Sequence, residues 1–123
     1  MLWQPGENDA AYGKDLAHFI ARVREQFHGP DLVFVYGYVL PPSNAMPGRD
    51  AVRAGEHDVD QDSGSPLATR GAFVVATEDL DHRATDPGTR YPNDHLRSGT
   101  AATLELGRRF AEKMSAALLA PSK

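Results

Sequence analysis

The sequence contains no cysteine at any of its 123 positions. That absence excludes disulfide bonds, thiolate zinc sites and cysteine nucleophiles, and it leaves the compartment of the protein open. Long apolar runs are also missing, because none approaches the roughly 20 residues that a membrane helix needs. Met1 is followed by Leu-Trp-Gln-Pro-Gly instead of a basic and then an apolar region, so we expect no membrane partner and no targeting segment, which leaves the cytoplasm as the default.

The chain also lacks an excess of basic residues. Thirteen Lys and Arg stand against seventeen Asp and Glu, and the basic residues are scattered along the chain. No cationic face emerges for a phosphate backbone, so nucleic acid is not expected as a partner. The remaining composition, 41% hydrophobic and 24% charged, is typical of a soluble globular domain, and residues 1–123 are too few for a second one.

The first half of the chain predicts a helix, a strand and a second helix. Apolar residues at helical spacing predict a helix from Ala10 to Phe27, with Asp9 as N-cap and Gly29-Pro30 as its end. The apolar run Leu32 to Leu40 predicts a strand covered on both faces. Arg49 to about Val59 predicts a short helix, with these residues facing inward: Ala51, Val52, Ala54 and Gly55.

The second half predicts a strand, a long loop and a helix. Gly71 to Thr77 reads as another short buried strand, and residues 78–97 form a polar loop with Pro87, Gly88 and Pro92. The last helix runs from about Ser98 to Leu119, with the apolar stripe Leu106, Gly107, Phe110, Met114, Ala117 and Leu118 packed on a sheet.

Strands that alternate with helices indicate an α/β fold with a parallel sheet. Two full strands are predicted, and Met1-Leu2-Trp3 resembles the end of a third, because it runs directly into a Gly-containing turn and a helix. We therefore expect a single truncated domain whose N-terminal strands are missing. A sheet with an unpaired edge strand predicts self-association, as a homo-oligomer, or pairing with a chain that completes it.

The chemically informative residues should lie where strands end, because open parallel sheets bind ligands at the carboxyl ends of their strands. After Trp3 comes Gly6-Glu7-Asn8-Asp9, in which Asn8 offers a neutral amide donor beside a helix N-terminus. The simpler alternative is that Asn8 and Asp9 only cap the helix. In the last loop, His95 precedes a helix that can aim it, and an imidazole can carry protons near neutral pH.

These blocks resemble the SGNH hydrolase superfamily, in its sialate O-acetylesterase-like and acetylxylan esterase branch. Trp3-Gln-Pro-Gly-Glu-Asn-Asp-Ala10 is similar to its Trp-x-Gln-Gly-Glu-Ser-Asp-Ala stretch, although the glutamine is displaced and Pro5 intrudes. Asn93-Asp94-His95-Leu96, followed by Leu106-Gly107-Arg108-Arg109-Phe110-Ala111, is similar to its histidine block. The resemblance implies a partial flavodoxin-like, three-layer α/β/α fold, and it covers nearly the whole chain.

The resemblance also implies site residues. His95 would be the catalytic base, Asn8 an oxyanion-hole donor, and Gly6, Glu7 and Asp9 would lie beside the substrate. The family places the triad acid three residues before the histidine, where this chain has Pro92. The orienting carboxylate is therefore open, with Asp94 first, then Asp86 and Asp79.

The nucleophile is the largest departure from the family pattern. A Gly-Asp-Ser or Gly-Gln-Ser-Asn block belongs after the first strand, and nothing before Gly6 supplies it. Pro42-Ser43-Asn44-Ala45 is a poor substitute, because it follows a middle strand and lacks the glycine. We expect an ester hydrolase, acting on acetylated carbohydrate or a small ester, whose serine is absent from this chain. The alternative is a catalytically inactive domain that binds carbohydrate or serves assembly.

One metal-like pattern remains. The segment from His57 to Gly64 has carboxylates at alternate positions, as a calcium loop does, but its glycine is one place late and position 12 would be Thr69. We therefore expect a solvated helix end, no metal and no cofactor.

Overall fold

The computed structural model describes residues 11–39, 48–95 and 97–120. Within these ranges the chain is a mixed α/β protein with three α-helices and a two-stranded parallel sheet. A 3-10 helix at Arg83–Thr85 interrupts the last loop. The elements in chain order are α1 (Tyr12–Gln26), β1 (Phe34–Gly37), α2 (Arg49–Val59), β2 (Ala72–Val75) and α3 (Thr100–Leu119).

The sheet pairs β1 with β2 in parallel, from Phe34 opposite Ala72 to Gly37 opposite Val75. This confirms the predicted parallel sheet, although each strand is four residues long and shorter than the apolar run that contains it. The other edge of β2 is covered by the residues that follow α2. Asp60 Oδ2 accepts the Val74 N–H at 2.8 Å, and the Gln61 N–H donates to the Ala72 carbonyl at 2.8 Å.

Helices lie on both faces of the sheet. On one face, Ile20 of α1 and Val59 of α2 form a buried cluster with Ala72. On the other face, α3 contacts both strands, and a β-carbon added at Gly37 would lie 3.5 Å from the Phe110 ring. Successive strand residues point to opposite faces, so the order is a helix pair, a sheet and a single helix.

The helices α1 and α2 pack on each other through glycine. A β-carbon added at Gly55 would lie 2.6 Å from the amide nitrogen of Gly13, so the two backbones approach closely only because both positions lack a side chain. Gly55 was predicted to face inward, and it does. The contact fixes the position of α2 at Gly55, and the next residue is Glu56.

Several predicted helix details are wrong. The N-cap of α1 is Ala11 and not Asp9, so the helix begins two residues later than the capping pattern indicated. Ala51 and Ala54 are exposed, because the buried stripe of α2 is made of Val52, Glu56 and Val59 at spacings of four and three. Composition favoured the alanines, whereas the helical period placed a glutamate inside.

Burial of the strands and outer helix ends was also overestimated. Every residue of β1 is half-buried, so the strand is not fully covered on both faces among the described residues. Leu118 is 67% exposed, and Gly107 is exposed on α3. Phe27 at the end of α1 is 72% exposed. Length accounts for the exposure of Leu118: a 20-residue helix spans about 30 Å, whereas a four-residue strand spans roughly 13 Å, so the end of α3 extends beyond the sheet.

None of the described helices combines the length and apolar character needed to cross a membrane. Met1-Leu2-Trp3, predicted as the end of a third strand, lies outside the described residues. The predicted self-association stays a prediction.

Candidate functional site

The carboxyl ends of β1 and β2 carry a polar cluster that α2 organises. Arg53 Nη1 donates to the Val39 carbonyl at 2.9 Å, and the Val39 N–H donates to Glu56 Oε2 at 3.2 Å. Arg53 and Glu56 are three residues apart on one face of α2, which brings both side chains to the same residue. Both the N–H and the C=O of Val39 are therefore held by α2 as the chain leaves β1.

Arg53 also ties β1 to the end of β2. Its guanidinium lies over the Tyr38 ring, 4.7 Å from the centroid, and it forms an ion pair with Glu78, which follows β2. Thr77 is 1% exposed, and its hydroxyl donates to the Tyr38 carbonyl at 3.0 Å. The two strand ends are thus fixed relative to each other by side chains and not only by the sheet.

Glu56 is the most unusual side chain of this cluster. It is 2% exposed, and burial raises the pKa of its carboxyl group from 4.5 to about 7, against the lowering effects of the Val39 N–H and of Arg53. Glu56 is not among the residues predicted from the sequence. Its position four residues after Val52 and three before Val59 was the signal that could have found it.

Two tyrosines close the space around Glu56. The Tyr36 hydroxyl donates to the backbone carbonyl of Glu56 at 2.8 Å. Burial together with nearby acidic charge raises the pKa of Tyr36. Burial, and then the charge of Glu56, raise the pKa of Tyr12 to about 12. Both phenols therefore stay neutral at physiological pH and supply no charge to the cluster.

The predicted catalytic histidine lies in a second region, which we name the histidine loop (residues 78–99). Its two ends meet at an antiparallel bridge between His82 and Ser98, and the Arg83 N–H donates to the Arg97 carbonyl at 2.9 Å. The Ala84 N–H donates to the Asp94 carbonyl at 3.0 Å. These bonds fold the loop back on itself between β2 and α3.

His95 is exposed on the returning segment of this loop. Its ring packs edge-on against the His82 ring, with centroids 6.1 Å apart and an angle of 68° between the planes. An exposed imidazole can meet a substrate, which a buried one cannot. The structure therefore leaves His95 accessible for the role predicted from the sequence.

Asp94, the first candidate for the orienting carboxylate, is held by arginines. Its Oδ1 accepts the Arg97 N–H at 3.1 Å, and its Oδ2 lies 3.4 Å from Arg97 Nη1 and 3.7 Å from Arg83 Nη1. The side chain is only 14% exposed. Arg83 itself stacks on Tyr91, 3.5 Å from the ring centroid. These contacts hold Asp94 in place and give it two positive neighbours.

The other two candidate acids have structural partners. Both carboxylate oxygens of Asp86 accept the Thr100 N–H, at 3.1 and 2.9 Å, so Asp86 caps α3 from across the loop. Asp79 binds Arg109 of α3 through two hydrogen bonds of 2.7 and 2.5 Å. Those bonds hold the pKa of Asp79 at about 2. Asp79 at the start of the histidine loop and Asp86 in its middle thus anchor the loop to α3.

The residues predicted around the oxyanion lie outside the described part of the chain. These are Gly6, Glu7, Asn8 and Asp9, together with Ser43 of the rejected nucleophile block. The predicted roles of Asn8 as oxyanion-hole donor and of its neighbours beside the substrate therefore stay predictions.

The calcium-like segment is a solvated helix end only in part, because His57 and Asp62 are exposed. Asp60, the C-cap of α2, accepts hydrogen bonds from the Asp62 N–H at 2.9 Å and from the Val74 N–H of β2 at 2.8 Å, and so docks on the sheet. Among the described residues, no three His, Asp or Glu side chains are grouped so that they could hold a metal ion.

Comparison of the chain with protein-family models, curated proteins and solved structures gives no match. The resemblance to SGNH hydrolases therefore depends on the sequence blocks described above, and the family assignment stays a prediction.

Proposed function

We propose that this chain carries the histidine part of an ester hydrolase of the SGNH type, acting on acetylated carbohydrate. The observation that carries the proposal is His95, an exposed imidazole on a loop that leaves the carboxyl end of a parallel strand and is fastened to α3. Ligand sites of open parallel sheets lie at that edge. The mixed α/β architecture is the class to which SGNH folds belong.

In the proposed reaction, His95 takes the proton of a serine hydroxyl as the hydroxyl attacks the ester carbonyl, and then gives the proton to the leaving alcohol. The serine comes from outside the described residues. The Asn8 amide would stabilise the oxyanion that develops on the carbonyl, which a fixed neutral donor does without reorganising. Asp94, the nearest carboxylate in sequence, would orient the imidazole.

The test is acetate release from acetylated xylo-oligosaccharide by the protein expressed from its complete reading frame. We expect His95→Ala to lower kcat/KM by about 10²- to 10⁴-fold, the usual contribution of a general base. His57→Ala is the matched control, because His57 is an exposed histidine on α2, far along the chain from the loop. Retention of wild-type kcat/KM by His95→Ala would refute the proposal.

A second candidate function is carbohydrate binding without turnover. The observation that favours it is that the Asp94 carboxylate is already paired with two arginines, Arg83 and Arg97. Arg97 lies three residues after Asp94, the spacing at which the family has its histidine. In that alignment Asp94 takes the position of the family's acid and Arg97 that of its base, and the two form an ion pair. It predicts that acetylated xylo-oligosaccharide binds in calorimetry while no acetate is released, and that Arg97→Ala weakens this binding.

A further inference from the structure

The contacts at Val39 form an unusual pair. Glu56 accepts the Val39 N–H at 3.2 Å, and Arg53 donates to the Val39 carbonyl at 2.9 Å. Two side chains of α2 thus satisfy both backbone polar groups of a residue that lies beyond the end of β1. We name the pair of side chains and the backbone they hold the Val39 clasp.

Water does not readily substitute for Glu56 in the clasp, because the carboxyl group is 2% exposed. Its Val39 bond is therefore sensitive to the charge that the carboxyl carries, since an ionised acceptor binds an N–H more strongly than a neutral one. A protonated carboxyl also loses its attraction for Arg53, which has a second acidic partner in Glu78.

The charged and titratable groups around Glu56 are few. Arg53 comes from α2 itself, Tyr12 from α1 and Tyr36 from β1, and the pKa of each phenol is raised. Tyr38, next to Val39, also faces the cluster, and its pKa is raised by burial and by nearby carboxylates. Asp60 and Glu78 act on the tyrosines, with Glu78 bound to Arg53.

We infer that the Val39 clasp is a proton-sensitive switch at the carboxyl edge of the sheet: ionised Glu56 and Arg53 together hold the Val39 backbone, and protonation of Glu56 loosens that hold. The inference does not depend on the proposed ester hydrolysis. It concerns the edge at which parallel sheets bind ligands, so the switch would couple pH to the geometry of that edge.

The experiment is heteronuclear NMR on the isotope-labelled full chain from pH 5 to pH 9. We expect the Val39 amide proton to resonate further downfield in the alkaline form, with a midpoint near pH 7, because an ionised carboxylate accepts the stronger hydrogen bond. Glu56→Gln should abolish the transition. Glu78→Gln, which removes the other carboxylate on Arg53, should retain it.

Persistence of the Val39 transition in Glu56→Gln, or a flat titration in the wild-type protein, would overturn the inference. Arg53→Gln supplies a second arm that leaves Glu56 itself in place. Since Arg53 lowers the pKa of Glu56, its removal should move the midpoint to higher pH. An unchanged midpoint in Arg53→Gln would also contradict the clasp.

Discussion

At the scale of single residues, His28 shows how the end of α1 is built. The His28 N–H donates to the Glu25 carbonyl at 3.2 Å and the Gly29 N–H to the Arg24 carbonyl at 2.9 Å, which is the Schellman pattern. The residue at the left-handed position is usually glycine, but here it is His28, with φ of 51°. The sequence placed the helix end correctly at Gly29-Pro30, yet the strained residue is the histidine before them.

We predict that His28→Gly raises the free energy of unfolding by about 1 kcal/mol, because glycine adopts positive φ without strain. His18→Gly is the matched control, since His18 lies exposed in the interior of the same helix. It should lower the free energy of unfolding by about 1 kcal/mol. Urea denaturation measures both, and equal effects of the two substitutions would contradict the prediction.

At the scale of elements, the contact of α1 with α2 depends on the absence of side chains. We predict that Gly55→Ala lowers the free energy of unfolding by about 2 kcal/mol, because its β-carbon would lie 2.6 Å from the Gly13 nitrogen and force the helices apart. Gly107→Ala on α3 meets nothing within 4 Å, so it should be neutral or stabilising by up to about 1 kcal/mol. Thermal unfolding of the two variants distinguishes them, and a stabilised Gly55→Ala protein would show that the helices do not touch there.

The start of α3 is a second case at this scale, because its cap comes from 14 residues away in the chain. Asp86→Ala should lower the free energy of unfolding by about 1 kcal/mol, since it leaves the Thr100 N–H without its carboxylate. Asp81→Ala is the control: Asp81 accepts the Gly99 N–H through its backbone carbonyl, a contact that the substitution keeps. Chemical denaturation tests the pair, and an Asp86→Ala protein as stable as Asp81→Ala would rule out this capping role.

At the scale of the whole molecule, two sets of carboxyl groups oppose each other in the dependence of stability on pH. Glu56 has a raised pKa, so the stability linked to it is complete below about 4.5 and is lost as pH rises through about 7. Asp79 and Glu105 have pKa values held at about 2 by arginine. Their contribution to stability is therefore complete at pH values above their ordinary pKa values of 3.8 and 4.5, and it is lost as pH falls toward 2. Maximal stability is therefore expected near pH 5.

We predict that the free energy of unfolding of the wild-type protein falls by about 3 kcal/mol or less between pH 5 and pH 8, the rise of the Glu56 pKa from 4.5 to about 7 setting that bound. Glu56→Gln should remove most of this slope and be more stable than the wild type at pH 8. Urea titrations at both pH values test the prediction. If the free energy of unfolding of Glu56→Gln still falls between pH 5 and pH 8, other groups cause the pH dependence.

Local sequence patterns determined the order of the elements, the bounds of α2, the parallel sheet and the histidine loop, because apolar spacing and chain-breaking residues act within one segment. The site was only partly accessible to such patterns: they pointed to His95 and Asp94, but they gave no sign that two arginines hold Asp94. The helical spacing of Val52, Glu56 and Val59 placed Glu56 on the inner side of α2, but only the tertiary structure decided what surrounds it there. It also decided the hydrogen bonds of Glu56 and Arg53 to Val39 and the capping of α3 by Asp86. Each of these joins segments that are distant in sequence, and the cost of burying a charge is set by what the rest of the fold places around it.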